Sequence, residues 1–304
     1  MGRVSIGGQA VIEGIMMKNN DKYAIAVRKP DKEIEVKIEK YKPAGEKCKL
    51  FKIPIIRGVF NFVESLVIGV KTLMYSAEFY DEEEDVEKKK EESSDGLFMF
   101  FTVAFSIVLA VGLFMLLPAF LASLLDGVIK NHFVLGLVEG VLRLIIFLLY
   151  VVLISHMEDI KRTFMYHGAE HKCINCLEAG DDLTVENIMK HTRFHKRCGT
   201  SFLFIVMIVS ILVFMCIRTD TVWLRLLYRV LLVPLVAGIS YEFIKFAGKY
   251  DNAVANILSK PGLWVQRLTT KEPTEDMVEV AIKAVEGVLD WRAYLEEERN
   301  SSKK

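Results

Sequence analysis

The sequence predicts an α-helical polytopic membrane protein of about four transmembrane helices, with a small α+β cytoplasmic domain that includes an N-terminal β-hairpin module. Three observations lead there. Residues 97–117 (LFMFFTVAFSIVLAVGLFMLL) run 21 positions without a charge, enough to cross a bilayer core as a helix. Three further apolar stretches follow, at 134–155, 199–217 and 222–247. Near the start, Tyr23–Lys29 and Glu33–Glu39 alternate apolar and polar side chains around Pro30-Asp31-Lys32, the pattern of two paired strands.

The N-terminal β-rich module is placed at 1–52. Within it, Gly7-Gly8-Gln9 and Glu13-Gly14 bracket a short apolar run, so sharp backbone turns are expected at both ends. The start, MGRVSIGGQAVIEGIMMK, has neither a long apolar core nor a small-residue cleavage site, and no cleaved signal is expected.

Residues 53–77 carry Arg57, Glu64 and Lys71 at intervals of seven, which places all three on one helical face. An amphipathic helix lying at the membrane interface is expected, with an additional span as the alternative. Residues 78–96 contain the run DEEEDVEKKKEE and read as a charged, flexible linker.

Spans one and two occupy 97–155, and spans three and four occupy 199–247. Glu139 and Arg143 sit four residues apart inside the second span and Arg229 lies inside the fourth. Charge in hydrocarbon is costly, so these three are expected to face the bundle and pair, or to mark a polar path across it. After the last span, 248–304 forms a cytoplasmic helical segment. Its apolar residues Met277, Val278, Val280, Ala281, Val285, Val288 and Leu289 recur at helical spacing within 274–298, with Thr274 placed as N-cap.

Charge fixes the orientation and removes one class of partner. Lys+Arg and Asp+Glu both total 39, so no basic field recruits nucleic acid. The 156–198 loop carries seven Lys and Arg residues, whereas the short connections at 126–133 and 218–225 carry one and two. Basic residues stay on the cytoplasmic side, so the loop and both termini are expected there, against membrane lipid. In that reducing compartment the cysteines are expected as free thiols or metal ligands in preference to disulfides.

The same loop concentrates the chemistry. Four of the six histidines (His167, His171, His191, His195) and three of the five cysteines (Cys173, Cys176, Cys198) lie between 166 and 198. His167-Gly168-Ala169-Glu170-His171 has the H-x-x-E-H spacing. On a helix, histidines four apart share a face and can reach one Zn²⁺, while the adjacent glutamate can move a proton. Glu170 is therefore the candidate catalytic residue. His167, His171, His195 and Cys198 are the candidate metal ligands, and Gln9 and Glu13 are candidate pocket residues. A second template overlaps the first: Cys173-x-x-Cys176 followed by His191-x-x-x-His195 fits a closed structural zinc site without an open position.

The stretches GGQAVIEGIMM (7–17), IRGV (56–59), YHGAEHKCINC (166–176), FHKRCGTSF (194–202) and QRLTTKEP (266–273) resemble those of the YqhQ-type family of bacterial inner-membrane proteins. The resemblance implies the bacterial cytoplasmic membrane as location. It also implies a predicted metal-dependent enzyme, with roles for His167, Glu170, His171, His195, Cys198, Gln9 and Glu13. It lends less weight to Cys173 and His191. Proximity of family members to translation-factor genes points to protein synthesis or membrane insertion. Two functions follow as expectations: a metal-dependent hydrolase or peptidase, or a non-catalytic membrane-protein biogenesis factor or adaptor that binds a translocase or ribosome. A transporter built on Glu139, Arg143 and Arg229 is a third.

Overall fold

The computed structural model describes residues 6–42, 53–80, 95–125, 127–217, 219, 221–249 and 253–301. The run 81–92, expected as a charged linker, lies outside the described residues, as do 1–5 and 43–52 of the N-terminal module.

The N-terminal module is a four-stranded antiparallel meander, β1 (Ile6–Val11), β2 (Gly14–Asn19), β3 (Lys22–Arg28) and β4 (Ile34–Lys40), in the order β1-β2-β3-β4. The expected hairpin is the β3–β4 pair, with Arg28 opposite Ile34. The first two strands close over Ile12-Glu13, where Glu13 takes φ 47°. The next two close over Asn20-Asp21, where Asn20 takes φ 50°. Asparagine tolerates that left-handed backbone because its short polar side chain can bond locally.

Both faces of β3 are covered, so the apolar–polar alternation expected for Tyr23–Lys29 gives way to large and small apolar residues in turn over Tyr23–Val27. Tyr23, Ile25 and Val27 pack with Val11, Met16 and Ile68 on one side. Ala24 and Ala26 face the other core, built with Tyr166, Ala169, Met277, Ala281 and Ala284. A Cβ at Gly287 would sit 2.5 Å from the Ala24 methyl, so small residues on strand and helix set that close approach.

Helices follow in chain order. They are α1 (Ile56–Ala77); α2 (Asp95–Val111), continuing through a π-turn at Gly112–Leu116 into α3 (Leu117–Ser123); and α4 (His132–Ile154). Then come α5 (Glu158–Ala179), α6 (Val185–Lys190), α7 (Gly199–Phe214), α8 (Val222–Lys249), α9 (Ala253–Thr269), α10 (Glu275–Val288) and α11 (Trp291–Ser301).

Among the described residues, four helical stretches are long and apolar enough to cross a membrane: Ile56–Ala77, Phe101–Ser123, His132–Ile154 and Leu227–Phe246. This set differs from the sequence expectation at two places: Ile56–Ala77, expected at the interface, is long and apolar enough to span, and the 199–217 stretch is too short. The 199–217 stretch yields a helix of 16 residues, Gly199–Phe214, or about 24 Å at 1.5 Å per residue. Cys198 caps its first turn, accepting from the Thr200 amide at 3.4 Å, and 215–217 leave helical geometry at the other end.

Helix α1 is tied down along its length. Arg57 pairs with Glu242 of α8 through Nε and Nη2, one to each carboxylate oxygen, and Asn61 donates to the Tyr241 hydroxyl at 2.7 Å. Its second half lies on the sheet. Ile68 enters the sheet core, Lys71 pairs with Glu39, and the Ile12 amide donates to the Ser76 hydroxyl at 3.1 Å. Its opposite face leaves Val63, Leu66, Val67, Val70 and Met74 exposed.

The expected C-terminal helix is broken in two. Its N-cap falls at Thr274 as expected, and Met277, Val278, Val280, Ala281, Val285 and Val288 are all buried. The chain turns at Leu289-Asp290, where Asp290 Oδ1 accepts from the Arg292 and Ala293 amides at 3.2 Å and starts α11.

Candidate functional site

Helix α5 carries the H-x-x-E-H residues. After Ile154 the chain leaves helix for three residues, and α5 restarts with Glu158 and Asp159 in its first turn, where acidic side chains oppose the positive end of the helix dipole. The helix ends at Gly180 with φ 84°, the left-handed cap that glycine adopts without a Cβ clash. His167 and His171 stand one turn apart with ring centroids 4.4 Å from each other.

Each imidazole is fixed through Nδ1. His167 Nδ1 lies 2.9 Å from the Thr269 carbonyl oxygen, and His171 Nδ1 lies 2.6 Å from that of Arg193. A backbone acceptor at Nδ1 selects the tautomer in which Nε2 carries the lone pair, the arrangement that a carbonyl or carboxylate partner gives to metal-binding histidines. His167 Nε2 is 3.1 Å from Cys198 Sγ. Ligand atoms of His167, His171 and Cys198 all lie within 4.8 Å of one another.

The donor set fits a soft to borderline cation. Burial lowers the pKa of His171, opposed chiefly by Cys198, which keeps the ring neutral and able to ligate. Its Nε2 is enclosed and has no hydrogen-bond partner among the described residues, an uncompensated acceptor that a cation would satisfy. Two tetrahedral N and S ligands of one zinc stand about 3.6 Å apart, so the 3.1 Å between His167 and Cys198 needs only a small outward adjustment.

Glu170 points to the sheet. Only 4% of it is exposed, and burial raises its carboxyl pKa, opposed by His167, His195 and the Gly8 amide. A Cβ at Gly8 would lie 2.8 Å from this carboxyl group, so the GGQ segment approaches because position 8 has no side chain. Glu170 Oε2 has no hydrogen-bond partner among the described residues. Glu170, Cys198 and His195 border a cavity of about 510 Å³ together with Gln9, Lys18 and Arg197, a volume in the range of small-molecule sites.

The remaining expected residues fall in different places. His195 is near the cluster, its ring centroid 5.7 Å from that of His171, but its Nε2 faces Glu178 Oε2 at 3.4 Å. Gln9 borders the cavity and presses its amide against Gly69 of α1. Glu13 is not among the cavity residues; it pairs with Arg162 and accepts from the Tyr166 hydroxyl at 3.2 Å.

The two-Cys, two-His template is not assembled. Cys176 Sγ contacts the carbonyl oxygens of Asp181 and Asp182 at 3.7 and 3.6 Å. Burial, with those two aspartates, pushes its thiol up to about 12. Burial raises Cys173 as well, and His191 Nε2 sits 2.9 Å from Asp181 Oδ2. Thiols held protonated in this way are poor metal ligands.

Gln266 was not among the expected site residues, yet it organises the wall opposite α5. Its Oε1 accepts from the His195 amide at 2.9 Å, while its Nε2 donates to the His195 carbonyl at 2.7 Å and to Ser201 Oγ at 2.9 Å. Arg193 Nη1 donates to the Thr270 carbonyl at 3.0 Å, and the Lys271 amide donates to the Phe164 carbonyl at 2.8 Å. The signal available in sequence was the QRLTTKEP stretch, whose residues now prove to clasp α5.

No solved structure matches the chain. It is 38% identical over 306 residues to the uncharacterized protein YqhQ of Bacillus subtilis (strain 168), an alignment covering 97% of this chain and 96% of that one. Residues 53–291 match the family described as a protein of unknown function, DUF1385. Those matched residues hold α5, Cys198 and the Gln266 clasp, and the chain belongs to this family, of the YqhQ type.

Proposed function

We propose that the protein is a multi-pass protein of the bacterial cytoplasmic membrane, with both termini cytoplasmic, whose His167, His171 and Cys198 hold a divalent metal, zinc by donor type, in a hydrolase site. The observation that carries this reading is the convergence of the three ligand atoms within 4.8 Å beside a cavity. Structural zinc sites close with four protein ligands, whereas three leave a position for substrate. A cation there would act as a Lewis acid toward a substrate oxygen. Glu170, bordering the same cavity, would take and return a proton, and Lys18 and Arg197 would orient an anionic part of the substrate.

The apolar stretches support the location. Phe105, Val108, Leu109 and Leu153 are each at least 60% exposed, a surface that water would disfavour and lipid would cover. Helix α1 serves as an interfacial helix, since Glu242 and the sheet hold its two halves at one end of the bundle.

The proximity of Cys198 and His167 favours a second reading, a thiol nucleophile with an imidazole base. That reading leaves the enclosed Nε2 of His171 unexplained, and the metal does not.

Complementation of a strain lacking the protein, combined with elemental analysis, tests the proposal. Wild type and Glu170→Gln should both retain about one metal per chain, the stoichiometry of a single three-ligand site, and Glu170→Gln should fail to complement. Full complementation by Glu170→Gln would refute the hydrolase and leave the adaptor for a translocase or ribosome. Wild type without metal, inactivated by alkylation of Cys198, would establish the thiol reading instead.

A further inference from the structure

We propose that the end of the helical bundle remote from Cys198 holds a binding site for a phosphate-class oxyanion, formed by Arg229, which borders a small cavity, with Arg143 behind it across their shared Glu139. The site is independent of the metal reading. Glu139 and Arg229 each lie seven residues into their helices, α4 and α8, or about 10 Å from the helix starts. Each arginine takes one oxygen of Glu139, Arg143 Nη2 at 3.0 Å and Arg229 Nη2 at 2.6 Å.

The other contacts of the two arginines differ. Arg143 Nε donates to the Phe114 carbonyl at 3.0 Å. Pro118, four residues on, has no N–H to offer that carbonyl. Arg143 Nη1 reaches Ser210 Oγ at 3.5 Å. Arg229 Nε is enclosed and has no partner among the described residues.

The cluster therefore combines two cations with one anion, every side chain at most 7% exposed. A net positive charge in hydrocarbon is expensive unless a counter-charge joins it. The Phe214 ring lies 5.3 and 5.7 Å from the two guanidinium carbons; its quadrupole softens the field but supplies neither charge nor acceptor. Beside the cluster is a cavity of about 140 Å³ bordered by Arg229, Glu139, His132, Ser123 and Thr219. Among the described residues, Glu139 is the only carboxylate lining it. Helix α4 starts at this end, as does α8, and their dipoles add to the positive potential. Guanidinium N–H groups pair with phosphate oxygens, and an oxyanion of that class supplies the missing negative charge. It can come from free inorganic phosphate or from the phosphodiester of an anionic lipid.

Full-length protein purified in detergent provides the test. One arm titrates inorganic phosphate calorimetrically. The other follows retention of added phosphatidylglycerol by native mass spectrometry. Wild type should bind one equivalent in one arm: saturable phosphate binding identifies the free ion, and a retained lipid that phosphate does not displace identifies the headgroup. Arg229→Gln should weaken binding at least tenfold, whereas Glu139→Gln, which removes the competing carboxylate, should bind at least as tightly. Wild type that binds neither probe would overturn the proposal whatever the variants do. So would Arg229→Gln binding as tightly as wild type.

Discussion

Gly168 of the H-x-x-E-H helix lies against the carbonyl oxygen of Lys271, where any Cβ would overlap it. The contact lets the segment after α9 cross α5, so that the Thr269 carbonyl reaches His167 Nδ1. Gly168→Ala should therefore cost about 1–3 kcal/mol, as overpacking does. It should also weaken metal retention, because the His167 ring loses its anchor. Thermal denaturation in detergent and metal content after dialysis check the two effects.

Gln266→Ala removes both partners of the His195 backbone and one from Ser201. A buried amide left unsatisfied costs about 1–3 kcal/mol, and the turn that leads from His195 to Cys198 should loosen. A lowered melting temperature with faster alkylation of Cys198 is the expected result. Unchanged alkylation would show that Gln266 does not position the thiol.

Acid should weaken the attachment of α1 to the sheet. Hydrogen bonds from Lys71 and Tyr23 hold the Glu39 carboxyl at about 2, below its ordinary 4.5. A depressed carboxyl contributes stability above its unfolded pKa, and that contribution is lost as pH falls from about 4.5 toward 2. Limited proteolysis should show α1 loosening across that window in wild type, and a flatter profile in Glu39→Gln.

The interfacial placement of α1 can be read optically. A tryptophan substituted for Val67, on its exposed apolar face, should be quenched by lipids brominated near the headgroup end of the chain. Stronger quenching by lipids brominated near the bilayer centre would mean that α1 spans.

Local pattern made part of this molecule legible. His167 and His171 needed only a helix to share a face, and apolar spacing marked the buried side of α10 as well as the β3–β4 pair. Cys198 entered the ligand set through its place beside the third apolar stretch. Gln266, Thr269 and Lys271 stayed hidden because they act through backbone groups some seventy to a hundred residues away, which no periodicity encodes. Glu13 looked like a pocket residue because it follows Gln9 closely, but the tight turn at Ile12-Glu13 sends it to Arg162. The Cys173 and Cys176 spacing matched a zinc template that burial and the C-terminus of α5 prevent.

X-ray absorption of the purified metal-loaded protein at the zinc edge measures the proposed centre most directly. One sulfur at about 2.3 Å and two nitrogens at about 2.0–2.1 Å should be found, with the sulfur shell absent in Cys198→Ser. A shell of two or more sulfurs, or protein that takes up no metal, would contradict ligation by His167, His171 and Cys198.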